Sequence, residues 1–323
     1  MSQKIEPESK DQGFQTPVLF VIFNRPDTAQ LVFNEIKKAK PKHLYVAADG
    51  PRSGNEKDQI LCKESRAIID QVDWDCEIKT LFQEKNLGCK IGVSSAINWF
   101  FENIEAGIIL EDDCVPHQSF FRFAEEMLEK YKNEEKIMMI TGLNPISNYQ
   151  SSTSYFFSRY FFIWGWATWR RAWQKYDISM SKWPNTKPQE IEQYYNDKYA
   201  SKTMGQSFED THRGKIDTWD YQWVFAGLVN KGLNIVPAKN LISNVGLTGV
   251  HFSGSATYNQ NLPVFDLYQD GLVPPSDIEE DVNFDSVFCK KNFHPNIYRK
   301  IRSIFAKSKT LKKLYHLMRD KTD

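Results

Sequence analysis

The residues with the most to offer chemically are three adjacent acids, Glu111, Asp112 and Asp113, in the stretch "GIILEDDCVP". Neighbouring carboxylates repel one another, and each loses hydration if it is buried without a partner. Solvent, basic side chains or a metal ion must compensate them. Hard divalent ions such as Mg2+ and Mn2+ take carboxylate oxygens and keep positions open for phosphate and water, so a strand-end pair of acids suits a metal-diphosphate complex. The competing reading is an acidic helix start, which Pro116 would fit. Other residues invite the same double reading. Arg25 follows an apolar run and is also a plausible surface cap. Asp49 sits in "AADGP", where Asp-Gly is a common turn dipeptide. Asp220 in "TWDYQW" reads as an N-cap or a satisfied structural acid, but it lies between Trp219 and Tyr221, which would desolvate it, raise its pKa and suit it to general-base work. His251 in "GVHFSG" is a lone histidine and reads as structural.

Several elements must position these side chains. "PVLFVIF" (17–23) is a continuous β-rich run, and Pro26 then opens a helix reaching about Lys38. "HLYVAAD" (43–49) and "EIKTLFQ" (77–83) are further strands, and a glycine-marked loop with a helix leads to a fourth, "AGIILEDD". Apolar strands alternating with helices predict an α/β fold with a mostly parallel central sheet covered on both faces. In such sheets ligands sit outside the carboxyl ends of the strands. Arg25, Asp49 and the three acids all fall there. "IMMITGLNP" (137–145) continues the strand pattern, and an aromatic-dense segment follows from Tyr155 to Tyr176, with Gly165 between Trp164 and Trp166 marking a tight bend. Residues 217–232 read as a loop entering a helix, and "LNIVP" as a strand after it.

The chain as a whole narrows the class. Its 323 residues are 41% hydrophobic and 25% charged, which is the composition of a globular protein with a sizeable core. Five cysteines, with no C-x-x-C pair, predict reduced thiols in a cytoplasmic protein rather than a disulfide framework or a zinc site. The N-terminal residues lack the apolar core of a signal peptide, and no run reaches 18 apolar residues. Net charge is zero, but residues 290–323 carry 11 Lys and Arg against 2 acids, so this tail is +9 and the remainder −9. A tail of that kind reads as a solvated amphipathic helix or as a peripheral contact with anionic lipid.

In this order the motifs resemble nucleotide-sugar glycosyltransferases of the GT-A fold. "LFVIFNRP", "YVAADGP" and "KNLGCKIGVSSAINWFFENIEAGIILEDD" look like the first half of family-two enzymes. The Glu-Asp-Asp triplet, "IWGWATWRRAW", "TWDYQW" and "IVPAKNLISNVGLTGVH" bring the chain closer to N-acetylglucosaminyltransferase I and its relatives. The resemblance spans roughly residues 16–255. Residues 1–15 are polar and read as a disordered N-terminus, and the resemblance implies 16–265 as a GT-A domain, with 16–135 as its nucleotide-binding half and 136–265 as its acceptor half. Residues 266–323 are then a C-terminal extension ending in a basic amphipathic helix.

Carried over residue by residue, the resemblance implies that Arg25 and Asp49 hold the nucleotide, with Asp49 on the uracil edge. Asp112 lies near the ribose and donor sugar, with Glu111 as a supporting residue on the donor side, and Asp113 is the metal ligand. Trp164 and Gly165 belong to an aromatic segment, reaching Trp173, that lines the donor-sugar and acceptor cleft. Asp220 is the catalytic base. The relatives place two residues between the tryptophans of that motif where this chain has three, which keeps Asp217 open for the same role. The implied activity is a hexosyl- or N-acetylhexosaminyltransferase. It is inverting, dependent on Mn2+ or Mg2+, and moves a sugar from a UDP-sugar to a glycan or lipid-linked acceptor in cell-surface polysaccharide biosynthesis. Such an enzyme would work in the cytoplasm or at the inner membrane face, with no nucleic-acid partner. Two alternatives stand beside it. One is a noncatalytic nucleotide- or carbohydrate-binding relative. The other is a sugar-1-phosphate nucleotidyltransferase, which predicts a glycine-rich basic loop after the first strand, where this chain has "FNRPD".

Overall fold

The protein is described by a computed structural model over residues 14–146, 148–246, 260–269 and 271–295. His251 and the basic tail, with Arg299, Lys300, Arg302, Lys312 and Lys313, lie outside the described residues.

The chain runs β1 (Val18–Ile22), α1 (Pro26–Ala39), β2 (His43–Ala48), α2 (Glu56–Ala67), β3 (Glu77–Phe82), α3 (Gly88–Asn103) and β4 (Ala106–Glu111). It continues through β5 (Cys114–Pro116), α4 (Gln118–Lys130), β6 (Ile137–Thr141), β7 (Tyr155–Ser158), β8 (Trp166–Trp169) and α5 (Arg170–Trp173). Last come α6 (Pro188–Tyr195), α7 (Lys198–His212), α8 (Asp220–Val229), β9 (Leu233–Pro237), β10 (Ile242–Asn244) and α9 (Val282–Asn292). Local sequence accounts for the helix starts. Proline occupies the first turn of α1, and its buried Ala29, Val32, Phe33 and Ile36 fall on one helical stripe.

The main sheet has the order β3-β2-β1-β4-β8-β6-β9-β7. β8 and β7 run antiparallel to their neighbours while β3, β2, β1, β4, β6 and β9 share one direction. This is the mostly parallel, helix-flanked α/β fold that the alternating pattern predicts. Alternate residues of β1 serve opposite faces, as the two-residue period requires. Val18, Phe20 and Ile22 meet Phe33 of α1 and Phe120 and Phe123 of α4. Leu19 meets Ile97 and Phe100 of α3 and Trp223 of α8. A third cluster joins α6, α7 and α9 around Phe208, Phe225, Phe284 and Phe288.

Two features differ from the sequence expectation. Glu111 closes β4, and Asp112 and Asp113 turn directly into β5, which pairs with β10; the next helix starts only at Gln118. The helix-start reading of the acids therefore fails. Phe14 belongs to the segment expected to be disordered, yet its carbonyl accepts Lys42 N at 2.9 Å and its ring meets Phe121 edge-on.

Candidate functional site

The chain leaves β1 toward β2 and β3 on one side and returns to β4 on the other, so the strand order reverses between β1 and β4. Such a switch point opens a crevice at the carboxyl ends. Arg25 follows β1 and the two aspartates follow β4, which brings residues 88 positions apart together. Arg25 Nη1 donates to Asp113 Oδ2 at 2.8 Å, and its Nη2 pairs with Asp112 Oδ1. Phe23 N donates to the other Asp112 oxygen at 3.3 Å. Burial pulls the Arg25 pKa down, but the charges of Asp112 and Asp113 overcome this and leave it raised. Burial pushes the Asp112 carboxyl upward against the pull of Arg25. Glu111, which Arg25 does not bond, is pushed up to about 8 by burial, with the Asp113 and Asp112 charges adding to it. The triplet is thus divided into the buried Asp112 and the partly buried Asp113, clamped by one guanidinium, and a third acid held toward its neutral form.

Asp49, at the end of β2, accepts four hydrogen bonds. They come from Gly50 N and Leu87 N at 2.8 Å each, Asn86 Nδ2 at 2.8 Å and Gly88 N at 3.1 Å. Four donors fill the lone-pair positions of a carboxylate. The side chain therefore pins the loop between β3 and α3 across the crevice floor. Burial raises its pKa although the Leu87, Gly50 and Gly88 amides act the other way.

The opposite wall comes from the start of α8. Asp217 lines the cavity, and a Cβ placed on Gly88 would lie 3.0 Å from its Oδ2. Asp220 sits in the first turn of α8, where its Oδ1 accepts Thr218 Oγ1 and Tyr221 N. Of the aromatic segment only Trp164 lines the cavity. Trp166, Trp169 and Trp173 are buried, and Trp166 stacks on Trp219 with centroids 5.6 Å apart, so this part of the expected cleft lining is core instead. Gly165 is not among the lining residues. It has φ +59, and a Cβ there would strike Ile242, so a tight turn and close packing account for the glycine.

These walls enclose a cavity of about 440 Å³. Arg25, Asp112 and Asp113 line it beyond β1 and β4, the apolar Ala47 and Leu81 line it from β2 and β3 with Val93 and Ala96 of α3, and Asp217 lines it beside Gly88. The donor chemistry of the Asp113 carboxylate is of the kind a divalent ion takes. Asp113 Oδ2 is bonded only by Arg25 among the described residues, while Oδ1 takes Asn244 Nδ2 at 3.1 Å. The donors are hard oxygens with lone pairs to spare, suited to an ion that completes its shell with phosphate and water. Among the described residues no three His, Cys, Asp or Glu side chains converge into a ready-made cage.

Sequence reasoning missed several members of the site. Asp58, inside α2, accepts Asn24 Nδ2 at 2.8 Å and both Arg52 Nε and Nη2, tying the loops after β1 and β2 together. The Arg52 bonds lower its pKa to about 2. No periodicity marks it, because it sits in a polar run of the helix. Cys89 lines the cavity, but burial raises its thiol to about 12, with the Glu111 charge adding to that, so it is a wall and not a nucleophile. Asn244 in "ISNVG" reaches Asp113 only because β10 pairs with β5.

No family model matches the chain, and no curated protein does. Among solved structures it is similar to a UDP-glucose pyrophosphorylase complexed with UDP-glucose. That match is 11% identical, covers 69% of this chain and 90% of that one, and has a TM-score of 0.35. A likeness this loose carries no argument about the present chain.

Proposed function

We propose that the chain is a nucleotide-sugar enzyme that transfers the sugar, with inversion, from a UDP-sugar to a hydroxyl of a glycan or lipid-linked acceptor. The observation that supports this best is the crevice itself. A clamped acid pair with its guanidinium, apolar side chains of β2, β3 and α3, and the acid Asp217 line one cavity. Arg25 meets the negative charge of the diphosphate. Asp113, with Asp112 behind it, holds Mn2+ or Mg2+, which when bound supplies positive charge against the departing nucleoside diphosphate. Asp49 acts through the loop it pins, holding Leu87 and Gly88 against the nucleoside. Trp164 borders the sugar. An acid at the start of α8 takes the proton from the acceptor hydroxyl as its oxygen attacks the anomeric carbon. Asp220 is the residue implied by the motif, and Asp217 is the one facing the cavity.

The test is to incubate the protein with a panel of nucleotide-sugars, with Mn2+ or with EDTA, and to measure nucleoside diphosphate release and bound donor. Metal-dependent turnover supports the reading, and turnover unaffected by EDTA counts against it. Asp217→Asn and Asp220→Asn separate the two acids. The base should lose about 10² to 10⁴-fold in rate while keeping donor affinity.

A second reading, nucleotidyl transfer between a nucleoside triphosphate and a sugar-1-phosphate, would use the same crevice and the same Arg25, although "FNRPD" lacks the glycine-rich basic loop it predicts. It predicts pyrophosphate release from those two substrates. Donor binding without either product would instead mark a noncatalytic binding protein.

A further inference from the structure

A second hollow, of about 630 Å³, lies at the amino ends of β6 and β9, opposite the carboxyl-end crevice, and shares no lining residue with it. Four cations border it, Lys136, Arg159, Lys182 and Lys231, against two acids, Glu190 and Glu280. Of the two acids only Glu280 has a cation as partner among the described residues, so the four cations still outnumber the acids by two. Glu280 pairs with Arg159, and Glu190 accepts Lys187 N at 2.7 Å in the first turn of α6. Of the remaining cations, Lys136 donates to the Ile278 carbonyl at 3.1 Å, and among the described residues the Lys182 and Lys231 ammonium groups have no bond or ion pair. Lys231 follows α8 and answers the negative end of that helix. Lys136 and Lys182 have no such local reason to converge here.

Three ammonium groups without a carboxylate partner, around a hollow walled by Leu228, Val229 and Leu233, concentrate positive potential where low-dielectric walls focus it. Asn185 and Gln193 also line the hollow, and their amides, unbonded within the described chain, offer donors and acceptors suited to hydroxyl groups. Cations for acidic groups and amides for hydroxyls together describe one ligand class. We propose that this hollow binds an acidic saccharide, a chain whose sugars carry carboxylate or phosphate groups. The inference stands on the hollow alone and does not need the transfer reading.

The test uses the full chain and isothermal titration with three probes: a short oligomer of galacturonic acid, a neutral galactose oligomer and inorganic phosphate. The acidic oligomer should bind, weaken as salt is raised, and bind about tenfold less tightly to a Lys182→Ala/Lys231→Ala variant whose circular dichroism and Tm match the wild type. The neutral oligomer should not bind. Failure of the acidic oligomer to bind, equal binding by the variant, or binding no tighter than that of phosphate would each overturn the proposal.

Discussion

Arg25 sets one positive charge against two carboxylates, so a metal ion proposed at Asp113 would share that arrangement with it. Removing the guanidinium leaves the Asp112 charge buried and unpaired, which costs on the order of 3–5 kcal/mol. It also frees Asp113 Oδ2 for a cation. Arg25→Gln should therefore melt lower than the wild type in EDTA and recover more of the loss on adding Mn2+, read as two thermal-shift curves. An equal Mn2+ shift in both proteins would show that Arg25 does not compete with the ion, and no shift in either would remove Asp113 from the metal assignment. The acids and Arg25, which the fold brings together, were legible because each is a charged residue at a strand end, whereas Asp220 is not among the residues lining the cavity. Asp58 was not, since its role depends on Asn24 and Arg52 arriving from two other loops. Asp49 was read as a ligand contact, but its four bonds to the chain are visible only once β2 and β3 lie side by side.

At the scale of elements, the aromatic segment is the instructive case. The resemblance implied that it lines the ligand cleft, whereas Trp166, Trp173, Trp219 and Trp223 form one buried cluster. Trp219 and Trp223 are four apart at the start of α8, so three intervening residues place both rings on one helix face. Trp166→Ala should cost about 3–5 kcal/mol in denaturant unfolding. Helix α9 is tied to the body through Asp285, which accepts Ser158 Oγ at 2.6 Å and Arg159 N at 3.2 Å. Burial raises the Asp285 carboxyl from 3.8 to about 7. The folded state thus favours the protonated acid, and this contribution is full below the unfolded value, near pH 4, and fades as pH rises through about 7. Asp285→Asn cannot ionise, so its Tm should fall less than that of the wild type between pH 5 and pH 8. Parallel Tm profiles would refute this.

For the whole molecule, the reversal of strand order between β1 and β4 is what makes a site of scattered residues. The −9 body and +9 tail raise a separate expectation, that the tail brings the protein to anionic membranes. Deleting residues 296–323 should abolish sedimentation with phosphatidylserine liposomes at low salt, and undiminished binding would dismiss the idea. The alternation of apolar runs with amphipathic segments, by itself, determined the fold class and the edge of the sheet where chemistry collects, because burial and backbone pairing act on local periodicity. It also set the acids at a strand end. Only the tertiary structure decided which acids share a counter-ion, which tryptophans are core and which acid faces the cavity. Those properties depend on distances between residues far apart in the chain, and no local pattern encodes such distances.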